Sequence, residues 1–474
     1  MGRLDIRGGF FFAFRPPALG RFFLRGGRDI MGNPGRQDAA ASWPSTSSPM
    51  RPIAYLSQIF PTLSMTFVYR EVEGLRRRGV DVETFATWRP DIAKLSAEAK
   101  HLVDTTTYVY PVKPLAFLAR HVRYAVTYAR RYWGTLLYLL TRPGETLKNR
   151  VRTLVHFSQA ICLLTEVKER NVRHLHSHFA LNSATIALVL GRMLKIPYSF
   201  TSHAKDLYVN PVLLPTKIRD AEFIVTISDY NRRFMQELVP TSEVGQKIHV
   251  VHCGVDLSHF TASKGQRPEG KPFEILSVSQ LNEKKGLSYL VRACKILKDR
   301  NYDFRCSIVG GGVQEELLRN LIRDQGLEKE VRLEGPVFQE ELKTFLDRAD
   351  VFALPCVIGS DGDRDGIPVC LMEAMAMEIP VVSTTVSGLP ELIEDGVSGR
   401  LAPPEDPNAL ADALGDLLES ADLRAQFSAA GRKWIEKEFT IDKNVERLRQ
   451  LFAGKSPTPE PLQPAPKRGP SATG

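Results

Sequence analysis

The sequence is poor in cysteine and has no long apolar run, and each shortage removes a class of protein. Six cysteines (Cys162, Cys253, Cys294, Cys306, Cys356 and Cys370) are scattered over 474 residues with no C-x-x-C pair. That spacing argues against a disulfide framework, and apolar surroundings such as VFALPC make a thiol a small buried hydrophobe of a reducing compartment. No stretch approaches the roughly 20 consecutive apolar residues needed to cross a bilayer. The cluster GGFFFAF is cut short by Arg15, Pro16 and Pro17, without the longer apolar region and cleavage site of a signal peptide. A cytoplasmic protein is expected.

What is present is ordinary for a globular protein, with 43% hydrophobic and 25% charged residues. The length is too great for one core, so two domains are expected. The net charge of +9 is uneven: residues 1–50 carry +4, residues 112–152 carry +8 and residues 455–474 carry +2, leaving the remainder at −5. A mildly acidic body does not suit nucleic acid.

Residues 1–50, rich in Gly, Arg, Pro and Ser, read as a disordered extension, for which a mis-assigned start before Met31 or Met50 is the plain explanation. From residue 51, strand-like and helix-like runs alternate: RPIAYLS, TFVYREVEGLRRRG and VDVETFAT, then VRHLHSH, SATIALVLGRML, PYSFTSH, FIVTIS and KIHVVHCG. A second series runs from FEILSVS to PVVST. The expected fold class is α/β, with two doubly wound domains at 51–255 and 272–430. A polar linker is expected at 256–271, a C-terminal helix packing back on the first domain at 431–452, and a disordered tail at 453–474.

In such sheets ligands bind beyond the carboxyl ends of the strands. Gly310, Gly311 and Gly312 follow one strand and precede a helix, where backbone can approach an anion. Lys284 and Lys285 could neutralise phosphate, although paired lysines also make a solvated face. The segment DGIPVCLMEAMA places Asp365 before a helix and Glu373 inside it, where a carboxylate can accept ribose hydroxyls. The run Asp361, Asp363, Asp365 imitates a calcium loop, but its twelfth position is Met372. His174, His176 and His178 alternate along one strand face, with no cysteine or carboxylate nearby in sequence to complete a zinc site. His178, at the strand end, and His203 and Asp206, after the next strand, face the expected cleft.

These loops together resemble the retaining glycosyltransferase family numbered four, over roughly residues 51–452 and most strongly 270–410. They are most similar to bacterial exopolysaccharide enzymes of the colanic-acid type, which share IFPTLSMTFVYREV, the HSHFA strand end and DGDRDGIPVCLMEAMA. The resemblance implies the GT-B architecture, two Rossmann-like domains facing across a cleft. It implies transfer, with retention, from a nucleoside-diphosphate sugar to a hydroxyl of a glycan or polyprenyl-linked acceptor, with no metal and no cofactor. By position it implies catalytic roles for His203, Asp365 and Lys285, with Lys285 on the diphosphate, Glu373 on the ribose and Asp365 at the sugar. Gly311 and Gln280 would adjoin the donor, and the amides around Gly366, Ile367 and Pro368 would line its pocket. Gly388, Leu389 and Glu391 would close the phosphate side, and Gly335 would lie by the base. Ser64, His178 and Asp206 would fall on the acceptor side. The chain departs from the family at Gln280, where Arg is common, at Asp365, where Glu is common, and at Met65, where relatives often carry Glu; Arg364 is a cation near enough to compensate. An impaired nucleotide-sugar-binding partner protein and a GT-B sugar-nucleotide epimerase are the alternatives.

Residues 112–152 have two readings. Phe117, Tyr124, Tyr128 and Tyr132 form a helical stripe with Arg120, Arg123, Arg130 and Arg131 beside it. This suits a helix lying on an anionic membrane, at the inner face of the plasma membrane, and equally a helix packed by its aromatic stripe.

Overall fold

A computed structural model describes residues 50–62, 65–260, 271–337 and 339–455. The expected extension up to its last residue, most of the linker, most of the tail and Ser64 lie outside the described residues.

Two parallel sheets organise the chain. The first holds seven strands: β1 (Met50–Ile59), β2 (Val80–Trp88), β3 (Thr106–Tyr108), β4 (His174–His178), β5 (Tyr198–Ser202), β6 (Ile224–Thr226) and β7 (Ile248–Val250), in the order β3-β2-β1-β4-β5-β6-β7. The second holds six: β8 (Phe273–Val278), β9 (Phe304–Val309), β10 (Val331–Gly335), β11 (Val351–Ala353), β12 (Val381–Thr384) and β13 (Arg400–Ala402), in the order β10-β9-β8-β11-β12-β13. In each, the winding reverses once, between β1 and β4 and between β8 and β11. A crevice forms at such a reversal, so the loops after these four strands are where a ligand is received.

Both faces of each sheet are covered, which is why short runs such as VFA at β11 are wholly buried. Alternation along β1 divides the first core. Ile53 and Tyr55 face the helix Thr66–Arg77, whereas Ala54 and Leu56 face the helices Leu147–Glu169 and Asn182–Leu194.

The chain returns to the first domain at its end, ten residues later than the sequence suggests. The helix Ala421–Glu438 stays on the second core, with Gly431 against Met375. The return comes at Thr440, where Val255 N–H donates to the Phe439 carbonyl (2.8 Å) and Ile441 N–H to the Val255 carbonyl (3.2 Å). The helix Ile441–Phe452 then buries Val445, Leu448 and Leu451 against Thr66–Arg77. Gly74 makes that seat, since a Cβ there would lie 2.8 Å from Val445 Cγ2.

Candidate functional site

The loop after β8 lies directly on the loop after β11 because of one glycine. Gly286 has φ +64°, and a Cβ would stand 1.9 Å from the Pro355 carbonyl oxygen, so no other residue fits. This contact brings Lys285 Nζ to 2.6 Å from Asp365 Oδ2, and Lys284 Nζ to 3.3 Å from Asp365 Oδ1 and 3.2 Å from Asp363 Oδ1. Burial pushes the Asp365 carboxyl up, but Lys285 and Lys284 outweigh it and hold it below the usual range. Burial likewise pulls Lys285 down, and Asp365 more than reverses this. Two residues expected to act separately, one on phosphate and one on sugar, are an ion pair.

The helix Val369–Ala376 begins at Pro368 with no side-chain cap and no acid in its first turn, so its positive end is unspent. Glu373 stands inside it, half-buried and without a hydrogen-bonding partner among the described residues. Burial pushes its carboxyl up to about 7, opposed by Arg70 of the first domain. Arg70 itself is held by Glu98 (3.1 and 3.2 Å).

The residues around this helix start also pack against the first domain. A Cβ at Gly366 would lie 2.6 Å from Ile227 Cδ1, and one at Gly388 would lie 2.9 Å from both Ser228 Cβ and Ile367 Cγ1. Gly366 and Gly388 thus lie against the first domain, and Ile367 and Leu389 belong to the second core. The Glu391 carboxylate accepts from Asp229 N–H (2.7 Å) and Tyr230 N–H (2.9 Å), capping the helix Asp229–Leu238 across the domain boundary. This turn latches the domains; its carboxylate is not free for a phosphate-side role.

The first domain answers with buried, mostly neutral groups. His176 is bonded at Nδ1 to Ser199 Oγ (2.8 Å) and at Nε2 to Thr201 Oγ1 (3.0 Å). His178 Nε2 meets Glu71 Oε1 (2.8 Å), which also accepts from the Tyr55 hydroxyl, and His178 Nδ1 lies 3.4 Å from His203 Nε2. Glu71 is the carboxylate missing from the sequence reading. It, His176 and His178 keep their ligand atoms within 4.8 Å of one another, but each is already engaged in this hydrogen-bond network. Burial, and then the neighbouring His178, hold His203 well below the usual imidazole range, so it is neutral near pH 7. Phe67 and Phe179 rings flank it at 5.1 and 4.5 Å, and a cavity of about 20 Å³, large enough for a water, opens beside His178, His203 and Ile227.

Asp206 also needs correcting. It is fully buried, and its oxygens accept from Ala180 N–H (2.7 Å) and His203 N–H (3.0 Å), so it positions His203 and offers no oxygen to an acceptor. Burial raises it to about 6, against those amides. Lys217, equally buried, donates from Nζ to the Ala180 and Leu181 carbonyls (2.7 Å each). Together they clamp the turn in which Phe179 takes the strained φ of +69°.

Comparison with known proteins decides what these loops belong to. Residues 65–259 match the family described as Glycosyltransferase Family 4, and residues 260–434 match Glycosyl transferases group 1. The chain is 33% identical over 421 residues to the amylovoran biosynthesis glycosyltransferase AmsK of Erwinia amylovora, covering 84% of this chain and 98% of that protein. It is 33% identical over 412 residues to WcaL of Escherichia coli, named as a colanic acid biosynthesis glycosyltransferase, covering 83% and 98%. This chain belongs to the family 4 glycosyltransferases. A solved structure of Anabaena HepE in complex with UDP shares its fold, with a TM-score of 0.62 at 14% identity over 85% of this chain and 99% of that one. The architecture of this glycosyltransferase is GT-B.

Other expected residues of the glycosyltransferase sit as follows. Gln280 is exposed on the loop after β8. Arg364, the cation that could compensate for it, donates to the Tyr230 hydroxyl (3.1 Å) and lies 4.4 Å from the centre of the Tyr208 ring. Gly310 and Gly312 bring their loop onto the carbonyls of Ser279 and Leu281, and Gly311 packs on Pro336. The helix that follows carries Glu315 and Glu316 in its first turn, which already answer its dipole. Gly335, at φ +77°, has open space on its Cβ side. Glu71, Arg70 and Lys217 were not found from sequence; only Glu71 left a signal, four residues after Phe67 on the same helix face.

Proposed function

We propose that this glycosyltransferase moves a sugar from a nucleoside-diphosphate sugar to a hydroxyl of a glycan or lipid-linked acceptor, with retention, during exopolysaccharide synthesis. The observation that carries it is Glu373, a carboxylate without a partner among the described residues, inside a helix whose uncapped N-terminus adjoins Lys285. Paired ribose hydroxyls would donate to Glu373, and the diphosphate would meet Lys285 and the first-turn amides, displacing part of the Asp365 ion pair. Gly335 leaves room for the base. The names of AmsK and WcaL support an exopolysaccharide product, and the fold shared with HepE, also solved with UDP-glucose, supports the donor class.

In the reaction the bond from the sugar's anomeric carbon to the diphosphate oxygen breaks while the acceptor oxygen bonds to the same face. The acceptor's proton passes to the departing phosphate oxygen, and Lys285 and the amides stabilise the charge. The nearby carboxylates support front-face attack without a covalent intermediate: Asp365 is tied to lysines, Glu71 to Tyr55 and His178, and Asp206 to amides. Neutral His203, fixed by Asp206, would hydrogen-bond the transferred sugar. Ile227 covers Gly366, so the donor enters when the domains part and is enclosed when they close.

The test is a screen of UDP-, GDP- and ADP-sugars for binding and turnover, with the anomeric configuration of the product read by NMR. One donor class with retained configuration is expected. An inverted product removes the front-face mechanism, binding without turnover leaves a nucleotide-sugar binder, and a product that keeps its nucleotide makes the protein an epimerase.

A further inference from the structure

Of the two readings of the basic segment, the structure agrees with the helix packed by its aromatic stripe. Tyr124 and Tyr132 are buried, and the Tyr124 hydroxyl bonds Thr165 Oγ1 at 2.7 Å, so the aromatic stripe is the packing face. The opposite face of the helix Pro114–Thr127 exposes Leu115 (83%), Leu118, Val122 and Val126 (72%), spaced three or four residues apart. The adjoining helix Ala129–Leu140 exposes Trp133 and Leu137 at the same spacing, and more than half of the exposed large hydrophobics among the described residues fall between residues 115 and 155. A surface this apolar marks an interaction site.

The cations of the segment divide in two. Arg120 is spent on Glu166 and Arg131 on the Met193 carbonyl. Lys113, Arg123, Arg130 and Lys148 are exposed and have no carboxylate partner among the described residues. Arg130 precedes Trp133 by three residues and Leu137 by seven, so charge and apolar surface share one helical face.

We propose that this face docks on an anionic lipid bilayer, with Leu115, Leu118, Val122, Val126, Trp133 and Leu137 at the acyl boundary and the four free cations among the headgroups. Both requirements, apolar depth and negative charge, are met at once by such a surface. A second copy of the chain would set one segment of net charge +8 against another. The proposal stands apart from the transferase reaction, since its readout is partition onto lipid and not turnover.

The experiment is flotation of the full chain with vesicles of phosphatidylcholine alone or mixed with phosphatidylglycerol, at low and high salt. Flotation with the mixed vesicles at low salt, weakened by salt, is expected. The triple variant Lys113→Glu/Arg123→Glu/Arg130→Glu is expected to partition at least about tenfold more weakly. Leu118→Asp/Val126→Asp is expected to lose binding while keeping the circular-dichroism melt of the parent, as both sites are exposed; Leu118→Ala/Val126→Ala serves if it does not. The proposal is overturned by no flotation at low salt, by equal binding to neutral vesicles, by unaltered binding of the variants, or by lipid-free dimerisation that Leu118→Asp abolishes.

Discussion

The carboxyl ends of the two sheets are furnished with opposite chemistry. Beyond β8 and β11 stand charges: two lysines set against two aspartates, and Glu373 beside them without a partner among the described residues. Beyond β4 and β5 most buried groups are uncharged or already spent, with His176 and His203 kept neutral and Asp206 and Lys217 bonded to backbone. One half can trade one charge partner for another; the other holds a geometry through hydrogen bonds that are already made.

The contrast breaks most easily at Lys285. Lys285→Ala leaves Asp365 buried with only Lys284, at an expected loss of about 3–5 kcal/mol of stability and about a hundredfold or more in turnover. Urea unfolding and donor turnover measure both, and an unchanged midpoint would mean that this ion pair does little for the fold.

Glu373 sharpens the comparison through pH. Its folded-state value near 7 exceeds the ordinary glutamate value, so the folded protein holds the proton more tightly than the unfolded chain. The stability it confers is full below the unfolded value and is lost as pH rises through 7, by up to about 3 kcal/mol. Glu373→Gln should flatten this slope between about pH 5 and pH 8, whereas donor binding to the parent should tighten over the same rise as the carboxylate forms.

In the first domain, Lys217→Met keeps the bulk but strips the donor from two carbonyls, an expected cost of about 2 kcal/mol in urea unfolding, with slower turnover as the turn at Phe179 loosens. Glu391→Gln weakens the cap on Asp229–Leu238 by about 1 kcal/mol, seen as a larger radius in small-angle scattering without loss of either domain. The smallest effect is an absence: His203 ring signals should show no titration step in the ordinary imidazole range, and an imidazole that titrates near about 6.5 would place it among the exposed histidines.

The alternation of elements was legible because each run signals locally, and the site loops followed because topology places ligands beyond the strand ends. The partners were not legible. Tyr55, Glu71 and His178 are separated by 16 and 107 residues along the chain, and nothing in the spacing of Lys217 links it to Ala180. Gly388 and Glu391 were assigned to phosphate from their motif, but the packing of one domain on the other decides their use. The helix Pro114–Thr127 carries an aromatic and an aliphatic stripe, both at helical period. Sequence left the aromatic stripe's use open between lipid and core, and burial assigns it to the core.

The double crossing at Val255 and Thr440 has a mechanical consequence. Gly254 sits against the Ile441 backbone, where a Cβ would come within 2.4 Å of its Cα, so the outgoing and returning chains are pressed into one narrow seam. Bodies joined along such a seam swing about it and do not slide. In the proposed opening and closing, travel would grow with distance from this pivot, so that Cys253 and His252 would stay almost still while loops at the far rim swept the longest arc.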